Sequence, residues 1–529
     1  MPSPLAPIDS GYFGSLDPFA TYSSVLPPEV INSCLMYRVS ISPQIAPSHS
    51  NQVVHWLSAA NEDPTLFTST LFHALSHKRT RWVLKLESDN IFGPNDQHWW
   101  KLCYMKSIKL LNEAIQNTSY AVTDAIIMSV LIMAYSTGRV VEEGRNKTLP
   151  FQAPLQSLQW LHVLGAQEAD PAHVAGLSGL IRLKGGLEKI KVPGVIGAAI
   201  YLDIIRATKT LSNPQFAFYS LSGKRVIALN EMIAYNTEDL EDDFGQLRKI
   251  GVNSRLVEIF QAMKIYTSML EAYMDGSLLQ PDLVKFCDQR NIIQHHVMSL
   301  PSADRLTGVS LQERQVYEMC RISGIIYSTG VIFPLPGPTS PLPTLSRILR
   351  RNLQVFDLNL YLSLPDAIDV FLWAITLGGI ACTAAREKAW YVESLKRLTV
   401  AVQFSQWSDL RLALRRILWL DIACDKAGRE LWDEVIQDLT STQGSLTKEL
   451  QAATAEPSYQ NKVQVGRKPP CMRCRKRRVR CDKAMPCHNC RTRGFTCAYD
   501  APLSKLRKRV ADLEGHFADI SAYENNLKQ

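Results

Sequence analysis

Six cysteines within the stretch 471–497 constrain this chain more than any other feature. Cys471, Cys474, Cys481, Cys487, Cys490 and Cys497 follow the spacing C-x2-C-x6-C-x5-C-x2-C-x6-C, so each half repeats one C-x2-C-x6-C unit. A C-x2-C pair on the first turn of a helix places two sulfurs on one side of an ion, and zinc takes four such ligands in a tetrahedron. Six sulfurs cannot fill the eight positions of two tetrahedra. Two zinc ions must therefore share two thiolates, and the duplicated spacing points to the first cysteine of each half, Cys471 and Cys487, as the bridges. Cys474 and Cys481 then complete one ion, Cys490 and Cys497 the other. A disulfide framework would need an oxidising compartment. The opening Met-Pro-Ser-Pro-Leu-Ala-Pro has neither the basic n-region nor the apolar core of a secretory signal. A redox C-x2-C pair would leave four cysteines unexplained.

Charge is distributed around this segment very unevenly. Residues 461–510 carry 16 Lys and Arg against two acids, Asp482 and Asp500, while the whole chain has a net charge of only +8. The rest of the sequence therefore holds 42 bases and 48 acids. Six thiolates with two Zn2+ change the balance of the basic segment by only −2. A compact basic module on a mildly acidic body is the electrostatic footprint of a nucleic-acid binder.

At these residues the segment resembles the fungal-type Zn(2)-C6 binuclear cluster of DNA-binding transcription regulators. The likeness covers all six cysteines, the arginine-rich interval from Arg475 to Arg480, Asp482, Pro486 and Gly494. It implies two Zn2+ per chain, double-stranded DNA as partner, a nuclear location, co-regulators or transcription machinery as further partners, and control of RNA polymerase II genes. It also implies base contacts: the position of Arg478 matches the basic residue that reads guanines in a G·C-rich, CGG-like triplet. Guanine offers O6 and N7 as adjacent acceptors in the major groove, which suits Arg or Lys. Arg477 is the next candidate, because five bases on barely two turns cannot all face one way. Arg475, Arg480, Arg491 and Arg493 are expected to hold phosphates and fix the register. The family usually carries its cluster near the N-terminus, and here the order is reversed.

The remaining sequence reads as one large all-α region. At 529 residues the chain is too long for a single small core, and 46% apolar with 20% charged residues is a globular composition. Residues 1–25 read as a disordered leader, 26–440 as an all-α body, 441–468 as a flexible linker and 469–499 as the zinc module. Asp63-Pro64 and Asp170-Pro171 each pair an N-cap with proline at the first helical position. Helices are expected over Trp99–Ile115, Asp124–Tyr135, Val195–Leu211, Arg321–Pro336 and Lys426–Leu439, with Ser408 capping Asp409–Leu420. Five prolines between Pro334 and Pro343 suggest a loop joining two helical halves. Val370–Ala385 is apolar for 16 residues, short of the ~20 needed to span a bilayer, so no membrane association is expected. His173, Gly176, Leu177, Leu180, Ile181, Gly185, Gly186 and Leu187, with Asp203 downstream, are similar to the middle-homology regulatory region of fungal transcription factors. That likeness runs loosely over residues 60–440.

Beyond the zinc module, Leu503, Leu506, Val510, Leu513, Phe517 and Ile520 alternate spacings of three and four, then Glu524 and Leu527 continue the register. This a/d seam reads as a coiled-coil dimerisation helix over 503–528, giving a homodimer. Gly515 within it costs about 1 kcal/mol relative to alanine. Six further cysteines, Cys34, Cys103, Cys287, Cys320, Cys382 and Cys424, stand singly among apolar neighbours and read as buried thiols. His295-His296 and the pair His73 and His77 lack complementary ligands nearby in sequence. No catalytic motif occurs in a credible context, so no enzymatic activity is expected. The reading is a sequence-specific transcription regulator; its alternative is a chromatin-associated scaffold binding DNA with little sequence preference.

Overall fold

A computed structural model describes residues 26–41, 50–86, 91–136, 149–234, 244–278, 282–355, 365–454, 474, 477, 479, 481–482 and 487–493. Contacts divide the chain into two compact units, Met1–Leu446 and Thr447–Gln529. The expected leader (1–25), the heptad seam (503–528), Cys471, Cys497, Arg475, Arg478 and Arg480 lie outside the described residues.

The first unit is helical. Its longer helices are α1 (Pro28–Ile41), α2 (Ser50–Glu62), α3 (Pro64–Val83), α4 (Pro94–Ala114), α5 (Asp124–Ser136), α6 (Pro171–Lys184), α7 (Val195–Thr210), α8 (Ser254–Met274), α9 (Leu283–Met298), α10 (Leu311–Tyr327), α11 (Leu342–Leu353), α12 (Pro365–Ala381), α13 (Ala385–Ala401), α14 (Trp407–Ile417) and α15 (Asp421–Thr454). The described residues contain no strand, only an isolated antiparallel bridge between Tyr219 and Arg225.

Local chemistry sets most of the boundaries. The Asp63 carboxylate accepts the Thr65 and Leu66 N–H groups at 2.9 Å, and Pro64 opens α3 without needing a donor. Asp170 does the same for Ala172 and His173 at the head of α6, and Gly185, at φ +97°, ends that helix in the left-handed conformation. Two expected starts move. α10 begins at Leu311, ahead of Arg321, because Ser310 and Glu313 form a reciprocal capping box. α14 begins at Trp407 rather than after Ser408, because Asp409 reaches back to the Gln406 N–H at 3.0 Å and fixes Gln406 as the cap. The last helix also differs: α15 runs through Thr454, where a flexible linker is expected from 441. Leu446, Lys448, Glu449, Leu450, Gln451, Ala452 and Ala453 are all good helix formers, so polarity there does not break the helix.

One hydrophobic core extends from Leu26 to Val435. α3 packs on α4 and α5, α5 on α6, α9 on both α7 and α8, and α12 on α10, α11, α13 and α14. α5 is buried around almost its whole circumference, and α12 holds Trp373 at zero exposure with its indole N–H donating to the Leu418 carbonyl at 2.7 Å. The proline-rich stretch does not separate two halves. Phe333 and Leu335 are fully buried in the common core, α10 continues into a π-turn at Ser328–Ile332, and α11 starts at Leu342. The apolar residues interleaved with the prolines pull the loop inward.

Arg290 on α9 is 1% exposed. Its guanidinium donates to the Leu158 carbonyl at 3.1 Å and the Gln159 side-chain oxygen at 2.7 Å, beneath the Phe333 and Tyr201 rings. Gln159, which it ties, and the next residue, Trp160, hold φ near +55°. The body cysteines are buried free thiols, and burial pushes Cys34 up to about 11 and Cys103, Cys287 and Cys320 to about 12. The histidine pairs serve the fold: His73 bonds Ser136, His77 bonds the Tyr37 hydroxyl and His295 bonds the Phe216 carbonyl. No helix among the described residues is long and apolar enough to cross a membrane.

Candidate metal centre and nucleic-acid interface

The C-terminal unit gathers its cysteines around a common point. The Sγ atoms of Cys474, Cys481 and Cys487 lie within 4.8 Å of one another, with Cys474 and Cys487 at 3.6 Å. Cys490 belongs to the same cluster; Cys474, Cys487 and Cys490 are almost fully buried and Cys481 is half-buried. None of the four is in a disulfide. Cys474 and Cys481 come from the first repeat and Cys487 from the second, so the thiol group spans both halves. Among the described residues this is the one set of three or more side chains close enough to hold a metal ion.

The backbone explains the convergence. The Val479 N–H donates to the Cys474 carbonyl at 3.1 Å and turns the first repeat back on itself. Cys487 is extended (φ −66°, ψ 152°) and precedes the single-turn helix α16 (His488–Arg491), which carries Cys490 three residues on. One helical turn places residues i and i+3 on one face, bringing Cys490 beside Cys487. Asp482 closes the loop: both its oxygens lie 3.0–3.1 Å from the His488 N–H, the first donor of α16. A carboxylate at a helix start satisfies a donor left without an intrahelical partner. Here it also joins the end of one repeat to the start of the other.

The residues fit zinc. Soft thiol ligands without competing carboxylates, crowded and shielded from solvent, are the donor set Zn2+ prefers, and so small a module has no other core to hold it. Four of the six cysteines expected as ligands come together, with Cys471 and Cys497 outside the described residues. Of the expected DNA contacts, Arg477, Arg491 and Arg493 are exposed. They flank the buried sulfurs without entering the cluster. Asp482 was legible in the sequence as part of the motif, but its clamp on His488 was not. The signal available was an acid five residues before the start of a C-x2-C turn.

Residues 469–506 match the family model of the fungal Zn(2)-Cys(6) binuclear cluster domain. No curated protein and no solved structure matches the chain. The domain match and the thiol cluster together support a zinc-binding, DNA-binding module of the fungal zinc-cluster type, placed after a large helical region, in a transcription regulator.

Proposed function

We propose that this protein is a nuclear, sequence-specific regulator of RNA polymerase II genes that binds DNA as a homodimer. The supporting observation is the joining of Cys474 and Cys481 with Cys487 from the other repeat, within a segment that matches the binuclear cluster family. In this reading all six of Cys471, Cys474, Cys481, Cys487, Cys490 and Cys497 hold two Zn2+, with Cys471 and Cys487 shared. Zinc supplies the folding energy of a segment that lacks a hydrophobic core. Arg478, or failing it Arg477, reads a guanine of a CGG-like half-site, while Arg475, Arg480, Arg491 and Arg493 contact phosphates. Leu503, Leu506, Val510, Leu513, Phe517 and Ile520 pair two chains, and the helical body acts as the middle-homology regulatory domain.

Selection of bound duplexes from a random pool by the full chain tests this reading. Enrichment of a G·C-rich motif is expected. Recovery of random sequence would overturn it in favour of a scaffold. Arg478→Ala should erase preference for the motif and keep salt-sensitive binding, whereas Arg491→Ala should weaken all duplexes alike and reduce the salt slope by about one phosphate. Leu513→Asp should reduce affinity for a two-half-site duplex far more than for one half-site.

A further inference from the structure

The glycine pair and Asp203, which stand out in the sequence of the body, turn out to build the two walls of a cavity of about 460 Å³. One wall is the end of α6 and the turn after it: Ser178, Ile181, Arg182 and Gly186–Glu188. Gly185 and Gly186 wrap this turn through N–H bonds to the Arg182 and Ile181 carbonyls. Gly186 sits at φ +115°, and a Cβ there would meet the Glu188 carboxylate at 2.6 Å, so the turn requires glycine.

The facing wall is Gln215–Tyr219 with Arg225. Asp203, 2% exposed on α7, fixes it by accepting the Gln215 and Phe216 N–H groups at 2.6 and 3.2 Å while Arg206 holds its other oxygen at 2.7 Å. His295 binds the Phe216 carbonyl from behind. The bridge between Tyr219 and Arg225 and the Leu221 N–H bond to Asp288 at 2.8 Å set the hairpin that carries Arg225. The two walls meet through Ser178 and Gln215 at 2.6 Å and through Tyr219 and Glu188 at 3.5 Å.

The cavity is thus held open by groups outside it, with Ile181, Leu187 and Phe216 providing an apolar lining. Two exposed arginines, Arg182 and Arg225, stand at its rim, and neither guanidinium makes a hydrogen bond or ion pair among the described residues. One acid, Glu188, faces them. Its volume lies in the range of small-molecule sites, which combine an apolar lining with a few placed polar groups. Guanidinium forks match carboxylate geometry in two parallel bonds.

We propose that this cavity binds a small organic monocarboxylate, its apolar body against Ile181, Leu187 and Phe216 and its carboxylate between Arg182 and Arg225. The site would let such an acid act on the helical body, and it does not depend on the DNA-binding reading.

Calorimetric titration of the full chain with 2-naphthoate and octanoate, against 2-naphthamide and inorganic phosphate, is the test. Saturable binding of at least one carboxylate is expected, with the amide and phosphate weaker by more than about tenfold. Arg182→Gln/Arg225→Gln, both on the surface and with no side-chain hydrogen bond or ion pair among the described residues, should reduce carboxylate affinity by a similar factor, while Arg305→Gln, outside the cavity, should leave it unchanged. The proposal is overturned if neither carboxylate binds, if the amide or phosphate binds equally well, or if the double variant binds like the parent. None of these outcomes bears on duplex selection, so the two readings fail separately.

Discussion

Asp482 shows how a single side chain can join two repeats. It contributes no sulfur, yet its carboxylate occupies the His488 N–H and so places the turn that carries Cys487 and Cys490. Asp482→Ala should speed zinc loss to a chromogenic chelator by about tenfold, at the low end of what outer-sphere substitutions cost. Asp482→Asn keeps one accepting oxygen and should lose less. Equal release from all three proteins would show that the clamp is not needed for the metal. Arg290 is the corresponding residue of the body. Removing it takes a charged donor from the Leu158 carbonyl and from the Gln159 amide oxygen, which keep only the Leu161 N–H and the Asn291 amide, and opens space beneath Phe333. Each lost bond to the charged guanidinium costs about 1.5–3 kcal/mol and the cavity adds to that. Arg290→Ala should therefore destabilise the body by about 3 kcal/mol or more, read as a fall in the urea midpoint of unfolding. Nothing local in the sequence marks this arginine, because its partners lie more than 130 positions earlier.

Helices were legible where a boundary carries its own chemistry and obscure where a neighbour supplies it. Asp63-Pro64 and Asp170-Pro171 can be read directly, since cap and first turn are adjacent in the sequence. Gln406 could not be read that way: glutamine is a poor cap, and only the reach of Asp409 back to its N–H selects it. The same limit applies to the proline-rich stretch, whose loop character is local but whose burial is decided by what Phe333 and Leu335 pack against. At the site, cysteine spacing gave the metal chemistry outright, whereas the walls of the body cavity depend on Asp203 and His295 reaching across from other helices. Asp63→Ala should test the cap. It removes two bonds to N–H groups and one from the Tyr120 hydroxyl at 2.6 Å. A loss of about 1–2 kcal/mol is expected, and Asp63→Asn should recover part of it.

Across the whole body, buried histidines set the response to acid. Burial, reinforced by Arg38 and Arg81, lowers His77 to about 3, and burial, reinforced by Arg38 and His77, holds His73 well below its usual value. His296 falls to about 4, and His162 and His295 are also lowered, all chiefly by burial. An unfolded histidine takes up a proton near pH 6.5, so between there and about 4 the unfolded chain binds more protons than the folded one. Stability is then lost as pH falls through that window. Asp288 acts in the opposite sense: burial first, and Asp282 to a lesser degree, raise it to about 6 against the Leu221 N–H. Between its unfolded value and 6 the folded state binds the extra proton, so its contribution favours the fold at lower pH and is lost as pH rises through 6. Five histidines outweigh one carboxyl. The melting temperature should drop between pH 7 and 5, and Asp288→Asn should make that drop steeper while raising stability at pH 7. A flat profile for the parent would contradict the burial of these imidazoles.

The sealed thiols of the body have a practical consequence for labelling. With Cys34, Cys103, Cys287 and Cys320 held up near 11–12 and shielded from solvent, almost none is present as thiolate at neutral pH. The C-terminal cysteines are the complementary case, reactive once a chelator has taken their metal. A maleimide dye added to the native chain after brief chelation should tag that segment in preference to these four body thiols, giving a fluorescent handle beside the exposed Arg477, Arg491 and Arg493 without any engineered cysteine.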